Sequence, residues 1–135
     1  MARTIAIDIV TPDRVVFHDE IEILIAPALD GLLGILPGHA PLVTGVKIGM
    51  VKIRKNGQEL FIATSGGILE VRPDQISLVV STAELPDEID VDRARRAKAR
   101  AEERLKETRS GIDEARARAA LERALARLRA AGLGE

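Results

Sequence analysis

The period of the apolar pattern changes at Pro86, and no single type of secondary structure serves both sides of that change. Before it, side chains alternate or run in short aliphatic blocks. Ile5-Ala6-Ile7-Asp8-Ile9-Val10, Ile21-Glu22-Ile23-Leu24-Ile25, Met50-Val51-Lys52-Ile53-Arg54, Leu60-Phe61-Ile62-Ala63 and Ile76-Ser77-Leu78-Val79-Val80 each read as a strand, the second with Glu22 on its outer face. Turn-forming clusters separate them: Thr11-Pro12-Asp13, Asp30-Gly31, Pro37-Gly38, Lys55-Asn56-Gly57, Ser65-Gly66-Gly67 and Arg72-Pro73-Asp74. Asn56-Gly57 between two alternating runs predicts a tight hairpin, because both residues tolerate positive φ. Many short strands at this spacing predict a sandwich or barrel.

Residues 90–131 hold no proline and one glycine, Gly111, among many Ala, Arg, Glu and Leu, which favours helix. Ser110-Gly111 interrupts the run, so the pattern predicts two helices, 90–107 and 113–131, folded as an antiparallel hairpin. Asp90 and Asp92 suit the first turn of the first helix, and Gly132 and Gly134 close the second. Three-four spacing puts Val91, Ala94, Ala97, Ala101 and Leu105 on one stripe, and Ala117, Leu121, Ala124, Leu125 and Leu128 on the other. Alanine permits close approach but buries little, at about 0.8 kcal/mol per methylene. The hairpin is therefore expected to be held weakly, and able to unfold into an arm that would reach roughly 60 Å at about 1.5 Å per residue. The chain divides into residues 1–86 and residues 87–135.

Charge divides the same way. Residues 1–89 carry seven basic and twelve acidic side chains, and residues 90–135 carry thirteen basic and nine acidic ones. Two parts of opposite charge imply different partners. Hydrophobic residues make up 46% of the chain and charged residues 30%, as in a soluble globular protein. The chain has no cysteine, which removes disulfides and thiolate chemistry. No apolar run is long enough to span a bilayer, and Asp8 interrupts what would be the apolar region of a signal peptide, so a cytoplasmic protein is expected. With only Phe17 and Phe61 as aromatics, the core must be aliphatic and a base-stacking platform is disfavoured.

The motifs of catalysis are missing. There is no P-loop and no nucleophile elbow. His18 and His39 are too few for a histidine metal cluster, and His39 in Pro37-Gly38-His39-Ala40-Pro41 reads as a turn residue bonded to backbone. Glu20 and Glu22 would share a strand face as solvated carboxylates. The helices are more informative. Arg93 and Arg100 lie nearly on one face, Arg123 and Arg127 are four apart, and an antiparallel hairpin would bring the four guanidiniums together, with Asp90 bracing Arg93. Guanidiniums fork onto phosphate oxygens. On spacing alone, a solvated basic face with ion pairs of a few tenths of a kcal/mol each remains the plainer alternative.

Gly31-Leu32-Leu33-Gly34-Ile35-Leu36-Pro37-Gly38-His39-Ala40-Pro41-Leu42 followed by Ser65-Gly66-Gly67-Ile68-Leu69-Glu70-Val71 closely resembles the epsilon subunit of bacterial F-type ATP synthase. Val10-Thr11-Pro12-Asp13 and Ile89-Asp90-Val91-Asp92-Arg93-Ala94 match as well, and the likeness runs through essentially the whole chain. It implies a ten-stranded N-terminal β-sandwich that binds the gamma subunit and stands on the c-subunit ring. It implies a C-terminal hairpin that folds on the sandwich or extends along gamma. Extended, its basic residues would approach the acidic loop of a beta subunit and oppose ATP hydrolysis. The complex would sit peripherally on the cytoplasmic side of the bacterial cell membrane.

Some family members bind ATP in the folded hairpin through an Ile/Leu-Asp-x-x-Arg-Ala motif, which residues 89–94 match in full. The other family positions fall on Glu84, Arg100, Arg123 and Arg127, each of the matching type. The resemblance thus implies an ATP site of Glu84, Asp90, Arg93, Arg100, Arg123 and Arg127, with ATP as a regulatory ligand rather than a substrate and the part of magnesium left open. Where the family often has Glu in Gly-Glu-Leu-Gly, this chain has Leu32, so Asp30, Leu32 and His39, expected on one loop, are the candidates for contact with the c ring or gamma. Two other classes are less well supported. A nucleic-acid adaptor with an Arg-rich arm is disfavoured by the arm's nine acidic residues, and a β-sandwich hydrolase lacks a nucleophile.

Overall fold

The computed structural model describes residues 3–107 and 110–133. Ten strands come first: β1 (Ile5–Val10), β2 (Val15–Ile21), β3 (Ile23–Ala28), β4 (Gly31–Ile35), β5 (Leu42–Val46), β6 (Gly49–Lys55), β7 (Gln58–Thr64), β8 (Gly67–Val71), β9 (Gln75–Val80) and β10 (Ala83–Glu84). A 3-10 turn, Pro86–Glu88, leads to helices α1 (Val91–Glu107) and α2 (Gly111–Ala130). The strands run in the order β10-β7-β6-β3-β5-β8-β9-β1-β2, with β4 paired to β3. Among the described residues, only β1 and β9 pair in parallel. The single sheet folds over between β3 and β5, which share one registered pair, Ala28 with Val46, and its halves close on each other as a sandwich.

The interior is aliphatic, as a chain with two phenylalanines requires. Ile7, Ile9, Ile21, Leu24, Ile35, Ile53, Ile62, Leu69, Ile76 and Leu78 are all fully buried. Each contributes about 1.5–3 kcal/mol relative to an exposed side chain. Neither phenylalanine is at the centre: Phe17 packs on the edge of this core and Phe61 on its outside, under the helices. The predicted Asn56-Gly57 hairpin is present, with both residues at positive φ (52° and 75°). Ser65-Gly66-Gly67 joins β7 to β8 as a turn. A Cβ on Gly67 would lie 1.9 Å from the Val79 carbonyl oxygen, so only glycine lets β8 and β9 approach there.

The expected strand Ile21–Ile25 is instead a corner. Ile21 ends β2, pairing with Ile5, and Ile23 opens β3, pairing with Arg54. Glu22 bends between them: its N–H donates to the Arg54 carbonyl at 2.8 Å, and its carboxylate accepts the Gly57 N–H at 3.1 Å. The buried phase slips from Ile21 to Leu24, Ala26 and Ala28, which strict alternation could not anticipate. Glu20 and Glu22 therefore do not share a strand face.

The helices start one residue after and two residues before the expected positions, at Val91 and Gly111. Asp90 caps α1, its carboxylate accepting the Arg93 N–H at 3.0 Å. Gly111 is the first residue of α2 rather than a break within the loop. At the far end Gly132 takes φ of 89° and Leu133 N–H reaches back to the Leu128 carbonyl, a left-handed close. Met1, Ala2 and Gly134 lie outside the described residues. The helices pack on each other, and α2 also rests on β6 and β7. There Ala126 and Ala130 join Ala63 and Ile89 in a second buried cluster, edged by Met50, Phe61 and Val91. These alanines lie off the α2 stripe that the spacing gave.

Candidate functional site

Where β10, the linker and both helices meet, they enclose a cleft of about 320 Å³ lined by Glu84, Glu88, Asp90, Arg93, Ala94, Ala97, Arg100 and Arg127. Ala94 and Ala97 form an apolar wall because α1 presents its small-residue stripe there. Three carboxylates and three guanidiniums surround the space, but they are not equally engaged. Arg127 Nε donates to Glu84 Oε1 at 2.5 Å, a half-buried ion pair that ties the end of α2 to the last strand. Asp90 is occupied in capping α1. Among the described residues, neither Arg93 nor Arg100 carries an ion pair, so two guanidiniums border the cleft without a carboxylate. An anionic ligand would meet donors already in place.

Of the six residues expected at an ATP site, the structure brings Glu84, Asp90, Arg93, Arg100 and Arg127 to this cleft. Arg123 lines a narrow hollow beside it with Thr64, Ser65, Thr82, Glu84 and Arg127. Glu88 was missed. Its Oε1 accepts the Leu85 N–H at 2.9 Å, and both its oxygens meet Arg14, at 3.0 and 2.9 Å. Arg14, first, and the Leu85 N–H, second, hold the Glu88 carboxyl below the usual carboxylate range. Arg14 lies 74 residues away in sequence, so no local pattern reveals the pair.

The residues expected at a c-ring or gamma contact do not share one loop. Asp30 stands in the β3–β4 turn and Leu32 at the start of β4, where Leu32 is 79% exposed near the exposed Leu29. His39 lies beyond the other end of β4, because Gly31–Ile35 pairs with β3 as a strand instead of forming loop. Its ring Nδ1–H donates to the Ala40 carbonyl at 2.7 Å, the backbone-bonded role expected of a turn histidine. A further apolar surface lies on the half of the sandwich away from the helices. Ile68, Val79, Val10 and Val15 stand opposite one another across β8, β9, β1 and β2, with Ile68, Val79 and Val15 exposed, and exposed Val43 lies on β5. Among the described residues, no helix is long and apolar enough to cross a membrane.

Comparison with known proteins divides the chain at nearly the same residue as its apolar period. The family "ATP synthase, Delta/Epsilon chain, beta-sandwich domain" matches residues 4–86. The family "ATP synthase, Delta/Epsilon chain, long alpha-helix domain" matches residues 87–132. The ATP synthase epsilon chain of Desulforamulus reducens is 50% identical over 131 residues, covering 97% of this chain and 99% of that one. That of Moorella thermoacetica is 51% identical over 127 residues, covering 93% and 95%. The fold is similar to a chain in the Euglena gracilis mitochondrial ATP synthase OSCP/F1/c-ring structure, with a TM-score of 0.80, 20% identity, and coverage of 95% of this chain and 81% of that one. It is also similar to a chain in the Tetrahymena thermophila mitochondrial ATP synthase central stalk/c-ring structure, with a TM-score of 0.67, 14% identity, and coverage of 96% and 98%. With matches from residue 4 to residue 132 and bacterial relatives near half identity over almost their whole length, the chain belongs to the ATP synthase epsilon chain family.

Proposed function

We propose that the protein is a non-catalytic stalk subunit of a proton-translocating ATP synthase, on the cytoplasmic side of the bacterial membrane, with a ligand-controlled arm. The sandwich couples the catalytic head to the c ring. Its band of exposed Ile68, Val79, Val15 and Val43, with half-buried Val10 among them, suits a gamma subunit, since neighbouring exposed apolar side chains mark a protein contact. The β3–β4 turn, with Asp30 and exposed Leu32, suits the c ring, and His39 the edge of either contact. The relatives' name and the central-stalk and c-ring context of the similar folds support this reading.

The arm reading rests on one observation: the sandwich, the linker and both helices line the cleft together. Glu84 belongs to the sandwich, Glu88 and Asp90 to the linker, Arg93 and Arg100 to α1 and Arg127 to α2. Extension of the hairpin would separate Arg127 from Glu84 and dismantle the site. A ligand that binds there therefore stabilises the retracted state and no other. ATP fits the chemistry: Arg93 and Arg100 take phosphate oxygens, and Ala94 and Ala97 offer an apolar wall. When ATP is scarce the arm extends, and the same guanidiniums meet the acidic loop of a beta subunit and oppose hydrolysis.

Calorimetric titration of ATP into the isolated protein tests the assignment, with ADP and Arg93→Ala as controls. A hydrogen bond to a charged group is worth about 1.5–3 kcal/mol, so Arg93→Ala should weaken binding roughly 10–100-fold and leave the sandwich folded. Equal affinity in the mutant would remove Arg93 from the site.

A further inference from the structure

The geometry points to Arg14, a sandwich residue far from the hairpin in sequence, as the positioning residue of the ligand cleft, acting through Glu88. This inference rests on the nucleotide reading for its ligand, but not for its geometry. Arg14 follows the Thr11-Pro12-Asp13 turn, which is closed by its own bonds: Thr11 N–H to the Arg14 carbonyl at 3.0 Å, and Arg14 N–H to Thr11 Oγ1 at 3.3 Å. The turn is thus a fixed point of the sandwich. From it the guanidinium reaches both carboxylate oxygens of Glu88, on the 3-10 turn between β10 and α1.

Glu88 in turn orders the linker. Its carboxylate also accepts the Leu85 N–H, and its own N–H donates to the Leu85 carbonyl at 2.9 Å, so the turn is bonded at both ends. Two residues further on, Asp90 caps α1. The direction in which α1 leaves the sandwich, and with it the placement of Arg93 and Arg100, follows from how this short linker is held. Glu84, two residues before the turn, is held by Arg127. The linker is therefore pinned to the sandwich through Arg14–Glu88, and just before it the last strand is tied to α2 through Glu84–Arg127. Arg14 takes no place in the cleft lining, so it acts by placing its neighbours.

Both partners are partly exposed, with side chains 47% and 33% accessible, which limits the effect. Exposed pairs contribute little, so losing Arg14 should weaken ATP binding by at most roughly 5-fold. The test uses the full chain as wild type, Arg14→Ala and Arg14→Lys. Two measurements are made on each. One is ATP affinity by calorimetry. The other, without ligand, is the distance between spin labels on Asp74→Cys and Ile112→Cys, one at a sandwich turn and one near the hairpin tip. The expected result is weaker binding and a smaller retracted population in Arg14→Ala, with Arg14→Lys close to wild type in both. Unchanged affinity and unchanged distances in Arg14→Ala would overturn the inference. So would weaker binding with unchanged distances, because Arg14 would then act only by neutralising Glu88. If wild type binds no ATP, the nucleotide reading fails, and the distances alone decide whether Arg14 positions the arm.

Discussion

Asp90 has one role in the structure and a second in the proposed function. Its carboxylate accepts the Arg93 N–H and caps α1, and the proposed ATP site would use it as well. Cap loss to alanine costs about 1 kcal/mol, whereas asparagine keeps an acceptor oxygen at the same place. If the cap is the main role, Asp90→Asn should bind ATP within about 2-fold of wild type and Asp90→Ala roughly 5-fold more weakly. Equal loss in both would show that the ligand needs the carboxylate charge. Spacing placed Asp90 in the first helical turn, bracing the Arg93 guanidinium; it stands instead just before α1, and its carboxylate takes the Arg93 backbone N–H, a distinction that depends on where the helix starts. The Arg14–Glu88 pair was not legible, since the register that joins residues 74 apart is set by the whole sandwich. Arg123 shows the limit of face arithmetic. Its spacing from Arg127 is helical, but α2 leans on the sandwich and turns Arg123 toward Thr64 and Thr82 instead of the cleft.

At the level of elements, the boundary at Pro86 was readable because period two and three-four spacing cannot be confused over such lengths. What was not readable is which side of α2 docks. Ala126 and Ala130, buried against Ala63 and Ile89, fall outside the apolar stripe because alanine marks no face by itself. The phase slip at Glu22 was hidden for a related reason: a run of isoleucine and leucine looks alike on either side of a corner. The two halves also differ in what holds them. The sandwich has its own core of fully buried Ile and Leu, whereas α2 meets it through Ala126 and Ala130, set against Ala63, Met50 and Phe61, and through the Glu84–Arg127 pair. Deletion of residues 88–135 should therefore leave a folded sandwich that still joins gamma and the c ring, while inhibition of hydrolysis is lost. Failure of the truncated chain to co-purify with gamma would move the docking surface onto the helices.

For the molecule as a whole, the proposed function makes the folded hairpin one of two states and ATP the ligand that biases them. A ligand at 100 times its dissociation constant stabilises the state it binds by about 2.7 kcal/mol, enough to shift a balanced arm almost completely. That shift has a local signature. Opening of the hairpin exposes amides along α2, while the sandwich core opens only on global unfolding. Hydrogen exchange on the isolated full chain, with and without saturating ATP, is the most direct measurement. The account predicts that amides of Leu121–Ala130 slow by up to roughly 100-fold with ATP at 100 times its dissociation constant, while β1 and β9 amides change far less. Equal exchange along α2 with and without bound ATP would contradict it, because the ligand would then hold nothing in place.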